Sequence, residues 1–428
     1  MKVAVIGAGY AGLAAAVELA AQGVSVTVFE AAKQLGGRAR RVDYRGLALD
    51  NGQHILLGAY REIQRLMGLV GAGPSALLLR LPLQLHIPGR FNLQASSLPA
   101  PLHVTQGLLT ASGLTWGERI AAVRFVHALR RQDFRLVRDT SVGEMLQKHG
   151  QSGNLRRYLW EPLCVAALNT PLATASAQIF LNVLRDSLFG SRADSDMLLP
   201  LADLTQLFPA HAASFIEHRG GSVLPSQTVL GVRVEAGGFA LETHQGSKPF
   251  DRVICAAPPQ RLAGIAGTLP QLAEAVALVA RFEYQPIYTV FLQYPDATRL
   301  PRPMIGLCGG AAQWVFDHGQ LNRQAGLMCV VISAQGPHQE LDHGELAQRV
   351  NAELRTAFPL LPFPLWHKVI AEKRATFACT PGLDRPGQAT PLPHFYLAGD
   401  YTAGDYPATL EGAVRSGIKC AKLILKTA

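Results

Sequence analysis

A glycine-rich turn between two strand-like runs constrains this chain more than any other feature. Val3 to Ile6 is apolar and of strand length, and Gly7-Ala-Gly9-Tyr-Ala11-Gly12 follows it directly. Leu13 to Ala21 is rich in good helix formers, and Val24 to Phe29 alternates β-branched with small polar residues before Glu30. The pattern is a β-turn-α-β unit with G-x-G-x-x-G spacing in its turn, the context in which that spacing carries meaning. Gly7 allows the tight turn, Gly9 lets the backbone approach a pyrophosphate, and Gly12 lets helix and strand pack closely. Unpaired N–H groups at the head of the helix favour a bound anion. Glu30 can accept both hydroxyls of an adenosine ribose and would repel a ribose phosphate. The stretch predicts dinucleotide binding through Gly7, Gly9, Ala11, Gly12 and Glu30. It does not say which dinucleotide.

At 428 residues the chain has room for two or three domains with sizeable cores. Hydrophobic residues make up 48% and charged ones 17%, which excludes a disordered chain. The net charge of +9 is spread out and contains no basic run of the kind that binds nucleic acid, so no nucleic-acid partner is expected. None of the six cysteines stands at C-x-x-C spacing. They read as reduced core thiols of a cytoplasmic protein, and no metal site is expected. The nucleotide motif begins at residue 3, where a signal peptide would otherwise lie. Phe91 to Gly117 and Pro162 to Leu184 lack charges but are broken by polar residues and proline. Neither makes a good membrane-spanning helix, although both suit an apolar pocket or a bilayer surface.

Past Glu30 the chain reads Leu35-Gly36-Gly37-Arg38, flexible backbone with one fixed cation near the pyrophosphate position. In register with the first motif, this loop resembles the flavoprotein superfamily of amine oxidases, protoporphyrinogen oxidases and carotenoid desaturases. The resemblance implies FAD as cofactor, with Gly37 and Arg38 added to its contacts. It implies an α/β fold: a Rossmann-like FAD-binding domain of the glutathione-reductase-like type, with a second, mixed α+β substrate domain. Asp50-Asn-Gly-Gln-His54 then matches the segment that runs beside the flavin ring in that superfamily. His54 is the first candidate for proton exchange near neutral pH.

From about residue 61 to 199 helical periodicity dominates. Arg61 to Val70, Trp116 to Arg131 and Leu155 to Arg185 read as helices of a cap over the substrate. Leu204 to His218 reads as one helix, ended by Gly220-Gly221. In the superfamily the valine matching Val229 meets the adenine through its backbone. Further strands are expected at Phe282 to Tyr294, Leu327 to Ser333 and Trp366 to Phe377, with a helix from Glu345 to Phe358. The expected division is 1–65, 200–259 and 390–428 for the FAD-binding domain, 66–199 for the helical cap and 260–389 for the substrate sheet.

The closing segment carries the second strong signal. A short strand ends at Gly399, Asp400 offers a carboxylate to the hydroxyls of a ribityl chain, and Thr409 is placed to cap the last helix. In the superfamily the matching helix aims its N-terminus at the flavin. The opposite face carries Arg415, Lys419, Lys422 and Lys426, which suggests peripheral contact with anionic lipid on the inner face of a membrane.

Asp50 to His54, Leu168-Asn-Thr-Pro171, Arg374-Ala-Thr-Phe377 and Tyr406 to Gly412 together resemble one branch from end to end. It is the squalene-associated, FAD-dependent desaturase-like branch, the hydroxysqualene dehydroxylases of bacterial hopanoid pathways. The resemblance implies reduction of hydroxysqualene to squalene with loss of water, an isoprenoid lipid substrate and squalene-pathway enzymes as partners. The carbinol oxygen needs a proton before it leaves; His54 is the first candidate donor, with Asp405 and Tyr60 behind it. Two alternatives stay open: a carotenoid desaturase or amine oxidase, and a non-catalytic FAD-binding scaffold of a lipid-synthesis complex. Oligomeric state and the source of electrons have no signature in the sequence.

Overall fold

In the computed structural model, which describes residues 1–427, Lys2–Ile6 is the middle strand of a five-stranded parallel sheet. Ser25–Phe29 and Arg252–Cys255 flank it, and Ser222–Leu224 and Phe395–Leu397 form the edges. Val3, Ala4, Val5, Val253 and Ile254 have no exposed surface, as a parallel strand covered on both faces requires. The helix Tyr10–Ala21 packs on this sheet and against the last helix, Leu410–Leu425. The two helices come so close at Gly417 that any Cβ there would collide with the Ala11 carbonyl oxygen.

A second sheet is antiparallel throughout. Tyr284–Gln293 lies between Leu327–Ser333 and Trp366–Phe377, and Trp314–Asp317 and Met304–Gly306 extend the far side. Both faces are covered, as the apolar residues on both sides of Tyr284–Gln293 predict. Tyr288, Val290 and Leu292 pack with Leu346, Val350 and Leu354 of the helix His343–Ala357, whereas Phe291 joins the main core. A three-stranded antiparallel sheet, Val229–Glu235, Gly238–Thr243 and Gly246–Phe250, stands beside the parallel one.

Trp116–Arg131 forms with the predicted bounds, and Thr115 and Glu118 cap it reciprocally. Three expectations need correction. The cap region is not purely helical: Leu78–Leu81, Gln84–Ile87, Phe91–Gln94 and Met197–Pro200 are strands, the first and last paired with each other. Leu155 to Arg185 is interrupted between Leu168 and Ala177, where Asn169 turns left-handed (φ 47°) ahead of Pro171. Leu204 to His218 is two helices, Leu204–Leu207 and Pro209–His218, because Pro209 has no N–H with which to continue the first. Among the described residues no helix is long and apolar enough to cross a membrane.

Candidate active site

The glycine turn is built as its spacing requires. Gly7 has φ +108°, and a Cβ on it would stand 2.7 Å from the Ala256 carbonyl oxygen. At Gly9 the nearest atom to such a Cβ is Gly37 Cα at 3.9 Å, so the backbone is open to a close ligand. Gly36 donates its N–H to the Ala8 carbonyl at 2.9 Å, which lays the second glycine loop across the first. Ala11 and Gly12 are buried in the first turn of the helix behind them. Glu30 accepts from Ala8 N–H and Ala32 N–H, each at 2.8 Å, leaving one acceptor direction on each carboxylate oxygen. Gln227 N–H donates to the Glu30 carbonyl at 2.8 Å, and Val229 therefore begins its strand close to Glu30.

The two ends of the chain meet at Arg38. Its guanidinium donates to Asp400 Oδ1 and to the Ala375 carbonyl, both at 2.5 Å. Burial works against the charge of Arg38, and the Asp400 carboxylate outweighs it, so its pKa rises. The Asn51 side chain donates to the Arg38 carbonyl at 3.2 Å. Around this pair the hydroxyls of Tyr284 and Tyr401 are buried with no hydrogen-bond partner in the protein. The open glycine cradle, the fixed cation and the orphaned hydroxyls fit a long polar ligand such as FAD.

The Asp50 to His54 segment splits its duties. Asp50 is buried and accepts from Leu204 N–H at 2.8 Å, and burial raises its pKa to about 8. Gln53 Oε1 lies 3.0 Å from His318 Nε2. His54 Nδ1 lies 2.8 Å from the Gly52 carbonyl, which assigns the proton to Nδ1 and leaves Nε2 basic. Burial lowers the pKa of His54, and Arg38 lowers it further against the opposing Gly52 hydrogen bond. The charged form of the ring is thus disfavoured. Thr289, fully buried with an unpartnered hydroxyl, approaches the same turn at Gly52. Tyr60 is buried, and burial followed by Glu411 raises its pKa. Asp405 is exposed, and its main-chain carbonyl accepts from Asn182 at 3.1 Å.

Residues 10–425 match the family described as flavin containing amine oxidoreductase. The chain is 31% identical over 439 residues to the hydroxysqualene dehydroxylase of Rhodopseudomonas palustris, covering 98% of this chain and 97% of that protein. The chain belongs to this family of flavoproteins. Its cofactor is FAD. The hydroxysqualene dehydroxylase of Sinorhizobium fredii is 28% identical, covering 99% of this chain and 98% of that protein. A zeta-carotene desaturase of Synechocystis is 26% identical, covering 99% of this chain and 97% of that protein. An oxidoreductase structure from Methanosarcina mazei shares the fold at 16% identity and a TM-score of 0.78, covering 99% of this chain and 100% of that one.

Within this flavoprotein frame the quoted motifs converge. The Asn169 side chain donates to Thr376 Oγ1 at 3.0 Å, and Cys379 N–H donates to Thr170 Oγ1 at 3.0 Å, tying the cap to the edge strand that carries Ala375. Thr409 caps the last helix by accepting from Gly412 N–H at 3.1 Å. Asp405 and His54 are not joined by any hydrogen bond. Sequence reading passed over Arg385, which donates to the Tyr406 carbonyl at 3.0 Å and also holds the Gly404 carbonyl, fixing the loop after Asp400. It also passed over Tyr284, Tyr401 and Thr289, whose only signal is an unpartnered hydroxyl that a sequence does not carry.

Proposed function

We propose that this flavoenzyme reduces hydroxysqualene to squalene, releasing the hydroxyl group as water. One observation carries the reading: similarity to hydroxysqualene dehydroxylases extends over 98% of the chain. In this reading Glu30 holds the adenosine ribose and the Val229 backbone meets the adenine. Gly7, Gly9, Ala11, Gly12 and Gly37 give the pyrophosphate close backbone, with Arg38 as its cation. Gly399 and Asp400 take the ribityl chain, and Thr409 orders the helix start behind it. Open space at Gly9 and the Arg38–Asp400 pair support this assignment. So does the parallel sheet, whose strands fall within 1–65, 200–259 and 390–428, the proposed FAD-binding domain, leaving 66–199 as cap and 260–389 as substrate sheet.

Reduced FAD supplies the hydride that replaces the hydroxyl. The chain supplies a proton and a dry site. His54 is the proposed donor: a proton taken up at Nε2 passes to the carbinol oxygen, and the lowered pKa makes the charged ring scarce but strongly acidic. Tyr60, whose proton burial holds more tightly, and the exposed Asp405 stand behind it. A closed site would keep out water that could otherwise trap the allylic cation left when the oxygen departs.

Product analysis by mass spectrometry and absorbance tests the reading against its alternative. Squalene from hydroxysqualene is expected. New conjugated double bonds in an isoprenoid substrate would favour the desaturase reading, which rests on the lower similarity to zeta-carotene desaturases.

A further inference from the structure

We infer that the loop 358–365, at one end of the antiparallel sheet, seats the protein on an anionic lipid surface. It reads Phe358-Pro-Leu-Leu-Pro-Phe-Pro-Leu365. Leu360 is 99% exposed, Phe363 67% and Leu365 68%, a cluster of large apolar side chains rather than scattered ones. The loop is nonetheless well anchored. Leu361 is buried, Leu361 N–H donates to the Phe358 carbonyl at 2.9 Å, and Leu365 N–H donates to the Gln293 carbonyl at 2.6 Å. Three prolines restrict the backbone further, so little order has to be gained when the tips are buried.

What surrounds the tips identifies the occupant. Arg355 stacks on Phe363 at 4.1 Å. Behind the tips, Tyr44 and Trp366 meet edge to face at 5.5 Å, with Lys368 over Tyr44 and Arg45 over Trp366. Arg299 lines a groove of about 480 Å³ between 297–300 and 357–362. Nearby carboxylates include Asp296, Asp43 and Asp317; Asp43 is already paired with Arg41 at 2.6 Å, and Asp317 is buried, accepting from Leu300 N–H at 2.9 Å and Gly319 N–H at 2.9 Å. Exposed aliphatic tips with aromatic rings and cations close beside them are the side-chain types that a bilayer interface takes up. A protein partner is the poorer fit, since a side chain as exposed as Leu360 projects outward instead of lining a desolvated pocket. The last helix is also the poorer lipid face. Arg415 is paired with Glu411 at 2.7 Å and stacked on Tyr406, which leaves Lys419, Lys422 and Lys426, and no large apolar side chain among the described residues of that helix is exposed. The proposal stands on exposure and charge and does not depend on the reaction above.

Co-sedimentation of the FAD-loaded full chain with vesicles of phosphatidylcholine and phosphatidylglycerol tests it. The variant Leu360→Ser/Phe363→Ser/Leu365→Ser should bind these vesicles at least about tenfold more weakly. Its melting temperature and its activity on detergent-dispersed substrate should not change, because all three side chains lie outside the core. Lys419→Gln/Lys422→Gln/Lys426→Gln should bind within about twofold of the parent; were that helix face on the lipid, losing about 1 kcal/mol per lysine would weaken binding about 150-fold, which would overturn the proposal. Three other results would each overturn the proposal: no binding of the parent chain to anionic vesicles, unchanged binding of the serine variant, or a serine variant that changes only its oligomeric state in light scattering.

Discussion

Asp50, Arg38 and His54 are where single side chains decide most. Asp50 holds its proton to about pH 8 in the fold, whereas an unfolded aspartate loses it near pH 4. The folded pKa is the raised one, so the stability linked to this proton is complete below about pH 4 and is lost as pH rises through about 8. Asp50→Asn keeps an oxygen for Leu204 N–H and removes the charge; it should raise the melting temperature at about pH 8 and do little near pH 4. An equal effect at both values would mean the carboxyl is not held protonated. Arg38→Lys should weaken FAD retention, because an ammonium cannot make the forked contact to Asp400 and the Ala375 carbonyl, and unpairing the buried Asp400 should cost about 1–3 kcal/mol in urea melts. For His54, the lowered pKa gives a kinetic signature. If Nε2 carries the transferred proton, kcat/KM falls about tenfold per pH unit across neutral pH, and His54→Phe keeps FAD while losing about a hundredfold or more in turnover. A flat pH profile would remove His54 from the proton transfer. The residue types of this segment are visible in the sequence. Their division of labour is not, because Leu204 and His318, the partners of Asp50 and Gln53, are distant in the chain.

Elements that carry their own start and stop signals were readable, and elements set by distant partners were not. Thr115-Trp-Gly-Glu118 announces a helix locally, as does Thr409 before the last one. The strands Leu78–Leu81 and Met197–Pro200 depend on each other across the cap, and no local pattern registers that pairing. Glu411 shows the same limit. It sits in the last helix with no exposed surface, yet its carboxylate accepts from Ile63 N–H at 3.0 Å and Glu62 N–H at 3.2 Å, capping the helix Arg61–Leu69. Arg415 completes the site at 2.7 Å. The helix behind the glycine at 412 is thereby fastened to the segment that follows His54. Glu411→Ala removes these acceptors and leaves Arg415 without its partner, so it should cost about 2–4 kcal/mol in urea unfolding. A loss below about 0.5 kcal/mol would show that the two helices are held by apolar packing alone.

At the scale of the molecule, three stretches far apart in the chain assemble one parallel sheet, and the Arg38–Asp400 pair closes it from the two ends. That much was legible: the glycine turn, the acidic strand end, Gly37-Arg38 and the Gly399-Asp400 turn keep fixed places relative to strands. The reaction lies beyond what spacing can tell, because a flavin held this way serves desaturases, oxidases and dehydroxylases alike. The most direct measurement is therefore of the flavin itself. The enzyme is reduced anaerobically, mixed with hydroxysqualene, and followed by flavin absorbance and product extraction in one turnover. Return of the oxidised flavin spectrum with one squalene formed per flavin is the predicted result. A flavin that stays reduced, or one reoxidised without squalene, would contradict the dehydroxylase assignment.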